Sequence, residues 1–431
     1  MPSPSPSSSP SVRHHFPPFA LLAGALWSLP ASAAPPEEGL QLLGGIGWAY
    51  DDNLLRQADS APAFGGQRSD TYSTLEAGVV YNKHISRQRI AATAKVSKVA
   101  FDHFDQLDYN GRDLQATWSW ELGNAFEGRA EALYIQTLAP YTDFNSDERN
   151  LRQRRRQAFD AGWKMHPSYK LRVGAERDKT SYDLLIQRAN DRTEKAVEAE
   201  LLYQPKSGSA LGLVARRVKG SFPYRRPYLG SVVTDDFTQD ELKLRVNWLA
   251  SGASTVQALA GYVRREQPSY GKGATSGVNG RINAFYTPRG KIGFNAAVWR
   301  EFAPIESLLV SDTLNNGASI GAHWAASAKL TIEAHAAHER RAYTARIDRG
   351  GAGIGNGIGI GNGAGAGAGA GAGRDALRDA IRSASVRAVW QVRPKVQVVA
   401  AYVHQARSGS ALLGTGRFDA NLVQVSANAL F

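Results

Sequence analysis

Apolar and polar positions alternate along most of this chain. In the run 114–122, Leu114, Ala116, Trp118, Trp120 and Leu122 fall on one side, and Gln115, Thr117, Ser119 and Glu121 on the other. Successive side chains of a β-strand point to opposite faces, so the run predicts a strand with one apolar and one polar face. The runs 242–248, 384–388 and 423–427 repeat the pattern. Soluble antiparallel sandwiches alternate too, and three further patterns separate them from a membrane barrel.

Aromatic residues recur at one end of every second strand: Tyr81, Trp120, Trp163, Tyr203, Trp248, Tyr286, Trp324, Trp390 and Phe431. Their usual spacing is about 40 residues, a hairpin plus its longer loop, and rings gathered at one level form the interfacial girdle of a barrel. A sandwich has no physical reason to collect rings there. The turns that follow them are short and built from turn formers, as at 122–124, 204–208, 251–253 and 287–290. The alternate connections, 52–70, 140–151, 220–233 and 342–375, are longer and polar. Short periplasmic turns and long external loops are the layout of an outer-membrane barrel. The last segment, 421–431, alternates and ends on Phe431, which resembles the C-terminal assembly signal of bacterial outer-membrane barrels.

These patterns predict an all-β fold, a transmembrane antiparallel outer-membrane β-barrel of about 18 strands, with 16 as the alternative count. Strands are expected to begin near 40, 71, 88, 110, 126, 154, 169, 193, 209, 237, 254, 278, 291, 315, 328, 381, 395 and 417. An even count puts both termini on the periplasmic side. The segment 350–373 is almost pure Gly and Ala. It has too little apolar side-chain area to offset its ordering entropy, and is expected to be a flexible insertion in an external loop. No loop stands out in the sequence as a constriction of the pore.

Residues 1–33 read as a secretory signal: Arg13, then the apolar stretch 19–27, then the small residues Ala31, Ser32 and Ala33. The mature barrel is expected to be 34–431. The apolar stretch is about half of the roughly 20 residues a spanning helix needs. A mean hydropathy of −0.34 and charges spread along the whole chain argue against a helical membrane protein. The absence of cysteine removes thiol catalysis, iron–sulfur clusters and Cys-based zinc sites, and a closed ladder needs no disulfides. The formal charge of +12 suits an anionic lipid, an anionic polymer or nucleic acid, and export removes nucleic acid. Simple solvation of these charges is the alternative.

No catalytic motif is present, and neither enzyme activity nor a cofactor or metal is expected. His335 and His338 lie three residues apart in one strand, on opposite faces, so they cannot share a metal. Glu333, His335 and His323 face the lumen together, where polar lining accounts for them. The inward face read from the alternation is polar and mixed in sign. Its cations include Lys95, Arg129, Lys164, Arg172, Arg216, Lys243, Arg245, Arg281 and Arg387; its carboxylates include Glu76, Glu121, Glu131, Asp160, Glu198, Glu200 and Glu333. Such a lining is either a path for a hydrated polymer or a brace for the wall, and both readings stand. Arg152, Arg154, Arg155 and Arg156 lead into the sixth strand. Outward members would suit lipopolysaccharide phosphates and inward members an acidic polymer, or the run is simply solvated. In the loop 222–228, Tyr224, Arg225, Arg226 and Tyr228 mix rings that stack on sugars with cations that donate to hydroxyls or carboxylates; loop packing is the alternative.

The first expected strand ends in Asp51, Asp52, Asn53, Leu54, Leu55 and Arg56. This junction resembles the exosortase-associated EpsL-type outer-membrane barrels found beside exopolysaccharide gene clusters. Chain length, the missing plug domain and Phe431 also fit that family, and the Gly/Ala run departs from it. The resemblance implies export of an exopolysaccharide through the outer membrane, with outer-membrane lipid, lipopolysaccharide and periplasmic export proteins as partners and no catalytic residues. The alternatives are a general diffusion porin for small solutes and a structural or docking barrel.

Overall fold

Hydrogen-bonded pairing turns the alternating runs into one continuous wall. The computed structural model describes residues 38–228, 231–268, 274–304, 310–345, 378–410 and 416–431. The expected signal segment and the Gly/Ala run lie outside the described residues. The strands are β1 (Gly39–Asp51), β2 (Asp70–Ile85), β3 (Gln88–Phe101), β4 (Tyr109–Leu122), β5 (Phe126–Leu138), β6 (Leu151–His166), β7 (Tyr169–Tyr182), β8 (Arg192–Tyr203) and β9 (Ala210–Ser221). A small hairpin of β10 (Arg226–Tyr228) and β11 (Ser231–Val233) follows. The wall continues with β12 (Phe237–Ser251), β13 (Ser254–Glu266), β14 (Thr275–Arg289), β15 (Ile292–Pro304), β16 (Val310–Ala325), β17 (Leu330–Ala345), β18 (Arg378–Arg393), β19 (Val396–Arg407) and β20 (Phe418–Leu430).

Eighteen of these strands form a single antiparallel sheet, each pairing with its neighbour in sequence, β9 with β12, and β20 with β1. The closure leaves no strand edge, which is what a bilayer demands of a sheet. The N–H of Leu42 donates to the Phe431 carbonyl (2.9 Å) and that of Phe431 to the Leu42 carbonyl (2.8 Å), so the last residue is part of the seam. Following one row of partners round the barrel returns to β1 displaced by about 22 residues. That stagger implies a strand tilt of about 40° and a backbone radius of roughly 18 Å.

The two faces reverse the distribution of a soluble protein. Leu42, Ile46, Leu75, Leu244 and Val425 point outward and are exposed, while Glu76, Glu200, Gln424 and Ser426 point inward and are buried. Exposed apolar side chains on every strand are stable only against lipid. The nine girdle aromatics all stand outward at the short-turn end, where Trp120 stacks on Phe159 (centroids 6.4 Å) and Tyr169 meets Tyr203 (5.1 Å). The protein is a transmembrane barrel of the outer-membrane type, with the short turns and the aromatic girdle gathered at one end.

Four strands begin three or more residues earlier than their apolar pattern predicts: β6 at Leu151, β14 at Thr275, β16 at Val310 and β18 at Arg378. Above the membrane a strand needs only its hydrogen-bonded partner, so the ladder continues through polar residues. Arg152 to Arg156 therefore lie inside β6 rather than ahead of it. A larger difference is at the mouth. Two external loops, 52–69 and 139–150, fold into the lumen instead of standing free. Leu55 and Tyr141 from these loops, with Phe104 and Leu107 from the β3–β4 connection, join Ala49, Phe101, Leu138 and Leu422 in a buried apolar cluster there. The expectation of an unconstricted pore is thus corrected. Each loop hides its apolar residues against the inner wall, at a distance that local pattern cannot register.

Candidate functional site in the lumen

The inward wall carries its charge in pairs. Of the cations singled out from the sequence, Lys95 lies 3.3 Å from Glu76, Arg129 2.5 Å from Glu131, Arg172 3.1 Å from Asp160 and Arg216 3.8 Å from Glu176. Lys243 lies 2.8 Å from Glu241, Arg281 2.9 Å from Glu301 and Arg387 3.5 Å from Glu333, while Arg245 binds Glu200 and stands 3.8 Å from Glu198. Lys164 joins Lys170 on Glu127. All eight proposed path residues face inward, and each is matched by a carboxylate on its own strand or a near neighbour. A wall neutralised in this way braces itself and presents no single-sign ring to a passing solute.

The Arg run divides by strand parity. Arg154 makes a two-pronged contact with Asp178, and Arg156 sits between Glu131 (3.1 Å) and Glu176 (2.8 Å), all on the inner wall. Arg155 points outward, with its guanidinium 5.2 Å from the Tyr134 ring. His335 and His338 occupy opposite faces, paired in register with Ser385 and Arg382. Tyr224 and Arg225 are exposed at the mouth, and Arg226 and Tyr228 belong to the β10–β11 hairpin.

The junction that carried the family resemblance is a turn that drives the first loop inward. Asp51 accepts the Asn53 N–H (3.0 Å) and the Arg56 guanidinium (2.8 Å). Asn53 receives the Gln57 N–H (2.8 Å) and donates to the Gln57 carbonyl (3.0 Å). Asp52 anchors the turn to β20 through the N–H and side-chain amide of Asn421, both at 2.7 Å. Arg56 takes a positive φ of 52° and reaches Gln405 on β19 (3.1 Å), while Leu55 is fully buried. Short Asx side chains that bond their own backbone are suited to such a turn.

The loop 139–150 crosses the bore. Asn145 donates its amide to the carbonyls of Leu55 (2.5 Å) and Arg56 (2.7 Å), docking this loop on the first. Asp143 then accepts Arg341 (2.9 Å) and Arg407 (3.3 Å). Arg341 is on β17, half-way round the ring from β6. Around this contact Arg407 binds Asp379 (2.5 Å), Tyr343 (3.0 Å) and the Thr142 carbonyl, and Glu339 receives Arg341 (2.9 Å) and the Trp299 indole N–H (2.9 Å). A cavity of about 40 Å³ remains between the loop tip and the wall at Trp299 and Ser383. Sequence reasoning missed Asp143, Trp299, Glu339, Arg341, Asp379 and Arg407. For Glu339, Arg341, Asp379 and Arg407 the sequence signal is charge at the outer ends of inward-facing rows, and Asp143 and Trp299 lack even that.

No protein-family model matches the chain, and no curated protein does. Solved structures of similar architecture include OpdQ of Pseudomonas aeruginosa (9% identity, 91% of this chain and 97% of that one, TM-score 0.45). OccK2 (OpdF) of the same organism, solved in complex with glucuronate, is 12% identical over 91% of this chain and 98% of that one, with a TM-score of 0.44. Its siderophore receptor PirA is 10% identical over 92% and 81%, with a TM-score of 0.43. The barrel assignment stands on the closed ladder and the apolar belt of this chain.

Proposed function

We propose that this protein is a diffusion channel for small polar solutes whose bore is set by the inward loop 139–150. The observation that carries the reading is the reach of Asp143 across the lumen to Arg341 and Arg407. Eighteen strands alone leave a wide aqueous space, and an inserted loop narrows it. Paired wall charges let hydrated solutes of either sign enter and leave. In planar bilayers the protein should conduct steadily. Asp143→Ala, which releases the loop tip from both guanidinium groups, should raise the unitary conductance several-fold or make it fluctuate. An unaltered conductance in this variant would sink the reading.

A second reading is passage of an exopolysaccharide to the cell surface with periplasmic export proteins. It is favoured by the likeness of Asp51 to Arg56 to the EpsL-type barrels. It requires both inward loops to swing aside, with Tyr224, Arg225, Arg226 and Tyr228 meeting the emerging glycan. Deleting the gene in a polymer-making strain separates the two. Lost surface polymer with periplasmic build-up supports export; intact polymer with slower uptake of a small solute supports the channel.

A further inference from the structure

We propose that the outward face of β6 to β9, with β13, binds a phosphorylated acyl glycolipid of the outer leaflet. The inference is independent of what crosses the lumen. Arg177, Lys195 and Lys219 are successive register partners on β7, β8 and β9. One row above, Arg155 partners Lys179. All five point outward and are exposed. Among the described residues, Arg177, Lys195 and Lys219 have no ion-pair partner, whereas Lys179 interacts with the Asp191 carboxylate. Like charges directly opposite one another across strands repel, so three in one row weaken the wall unless an anion sits between them.

The height of the row identifies the anion. Arg177 lies eight residues along β7 above Tyr169 of the girdle, whose short-turn end is the one expected to be periplasmic. At the rise and tilt of these strands that is roughly 20 Å along the membrane normal, and the apolar band of such barrels is about 25 Å tall. The backbone of the row therefore lies about 5 Å below the outer edge of the band, and the long Arg and Lys side chains carry their charges up to the outer headgroup layer. Directly below them is an apolar groove of about 870 Å³, with Ala175, Ala199 and Ala215 as its floor and Phe159, Val197 and Tyr262 at its sides. Small residues between large ones leave space for acyl chains. Arg217 and Arg264 flank the groove, held by Asp240 (2.5 Å) and Glu266 (2.6 Å). Phosphate above and acyl chains below are the two parts of one phosphorylated glycolipid. Lys and Arg both contact phosphate well, Arg in two-pronged fashion.

The test uses the mature protein folded in lipid-free detergent and titrated with bisphosphorylated lipid A, its dephosphorylated form and phosphatidylglycerol, read by native mass spectrometry. The bisphosphorylated lipid should be retained, and each of the other two bound at least tenfold more weakly. The triple variant Arg177→Gln, Lys195→Gln, Lys219→Gln should lose at least tenfold in retention, while Lys195→Arg keeps it. Thermal midpoints give a second reading. Without lipid the triple variant should melt above the parent, because the repulsion is gone; with bisphosphorylated lipid A the order should invert. Equal retention by the triple variant, or equal binding of either control lipid, overturns the proposal. So does a triple variant that melts below the parent in lipid-free detergent.

Discussion

On the inward side of β7, Arg172 meets Asp160, Glu176 holds Arg156, and Asp178 holds Arg154. On the outward side of the same strand, Arg177 stands beside Lys195 with no carboxylate between them. The two faces share one backbone and one composition, yet one is neutralised and the other is not. The low-dielectric interior of the wall demands a partner for every charge, whereas the outer rim faces headgroups that supply one. The chain's formal excess of +12 therefore does not describe the lumen. A charge count points to an anionic partner, and the distribution over the two faces says where that partner stands.

The sharpest way to break this comparison is to remove one carboxylate from each face. Asp379 is buried against Arg407, whose side chain is 1% exposed. Asp379→Ala should cost about 1.5–3 kcal/mol, because it removes the nearer of the two carboxylates that Arg407 contacts and leaves only Asp143 at 3.3 Å. Asp240→Ala, which unpairs the exposed Arg217 on the outside, should cost about 0–1 kcal/mol. Urea midpoints of folding into vesicles measure both; similar losses would mean that burial does not distinguish the faces. The next effect concerns adjacent residues of β12. Leu244 points to lipid and Lys243 to the lumen. Leu244→Arg should cost roughly 2–4 kcal/mol near the membrane midplane. Lys243→Gln should leave the heat-modifiable folded band close to the parent level. Equal folding of the two would reverse the facing of this strand. The smallest effect tests the unpaired row. In lipid-free detergent Lys195→Gln should stabilise by about 0.2–1 kcal/mol, the size of one cross-strand repulsion. A loss of stability would show that Lys195 is already satisfied.

Much of the wall was legible in the sequence because its determinants are local. A residue's side of a strand follows from parity, and lipid on one side and water on the other select apolar or polar residues accordingly. That logic placed Lys95, Arg129, Arg172, Arg216, Lys243, Arg245, Arg281 and Arg387 on the inward face. Parity also separates Arg155 from Arg154 and Arg156 once the strand is known to begin at Leu151. The constriction was not legible. Asp143 and its partners Arg341 and Arg407 are separated by 198 and 264 residues. Nothing near Asp143 in the chain shows that its loop turns inward. The junction at Asp51 to Arg56 was visible as a motif, but its work, turning a loop into the bore and burying Leu55, depends on Asn421 and Gln405 from the far end of the chain.

By itself the sequence determined the antiparallel strands, their number, the facing of their side chains, the aromatic girdle and the seam residue Phe431. These are repeats of a hairpin about 40 residues long in a medium that is apolar on one side and wet on the other. Only the tertiary structure decided how the loops fill the mouth and which charges find partners. It also decided that Arg177, Lys195 and Lys219 align in one row, since the register of β7, β8 and β9 is set by the geometry of the connections between them. The sequence spacing of a cross-strand pair varies with the length and conformation of the connection, and a shift of one residue in register moves every partner.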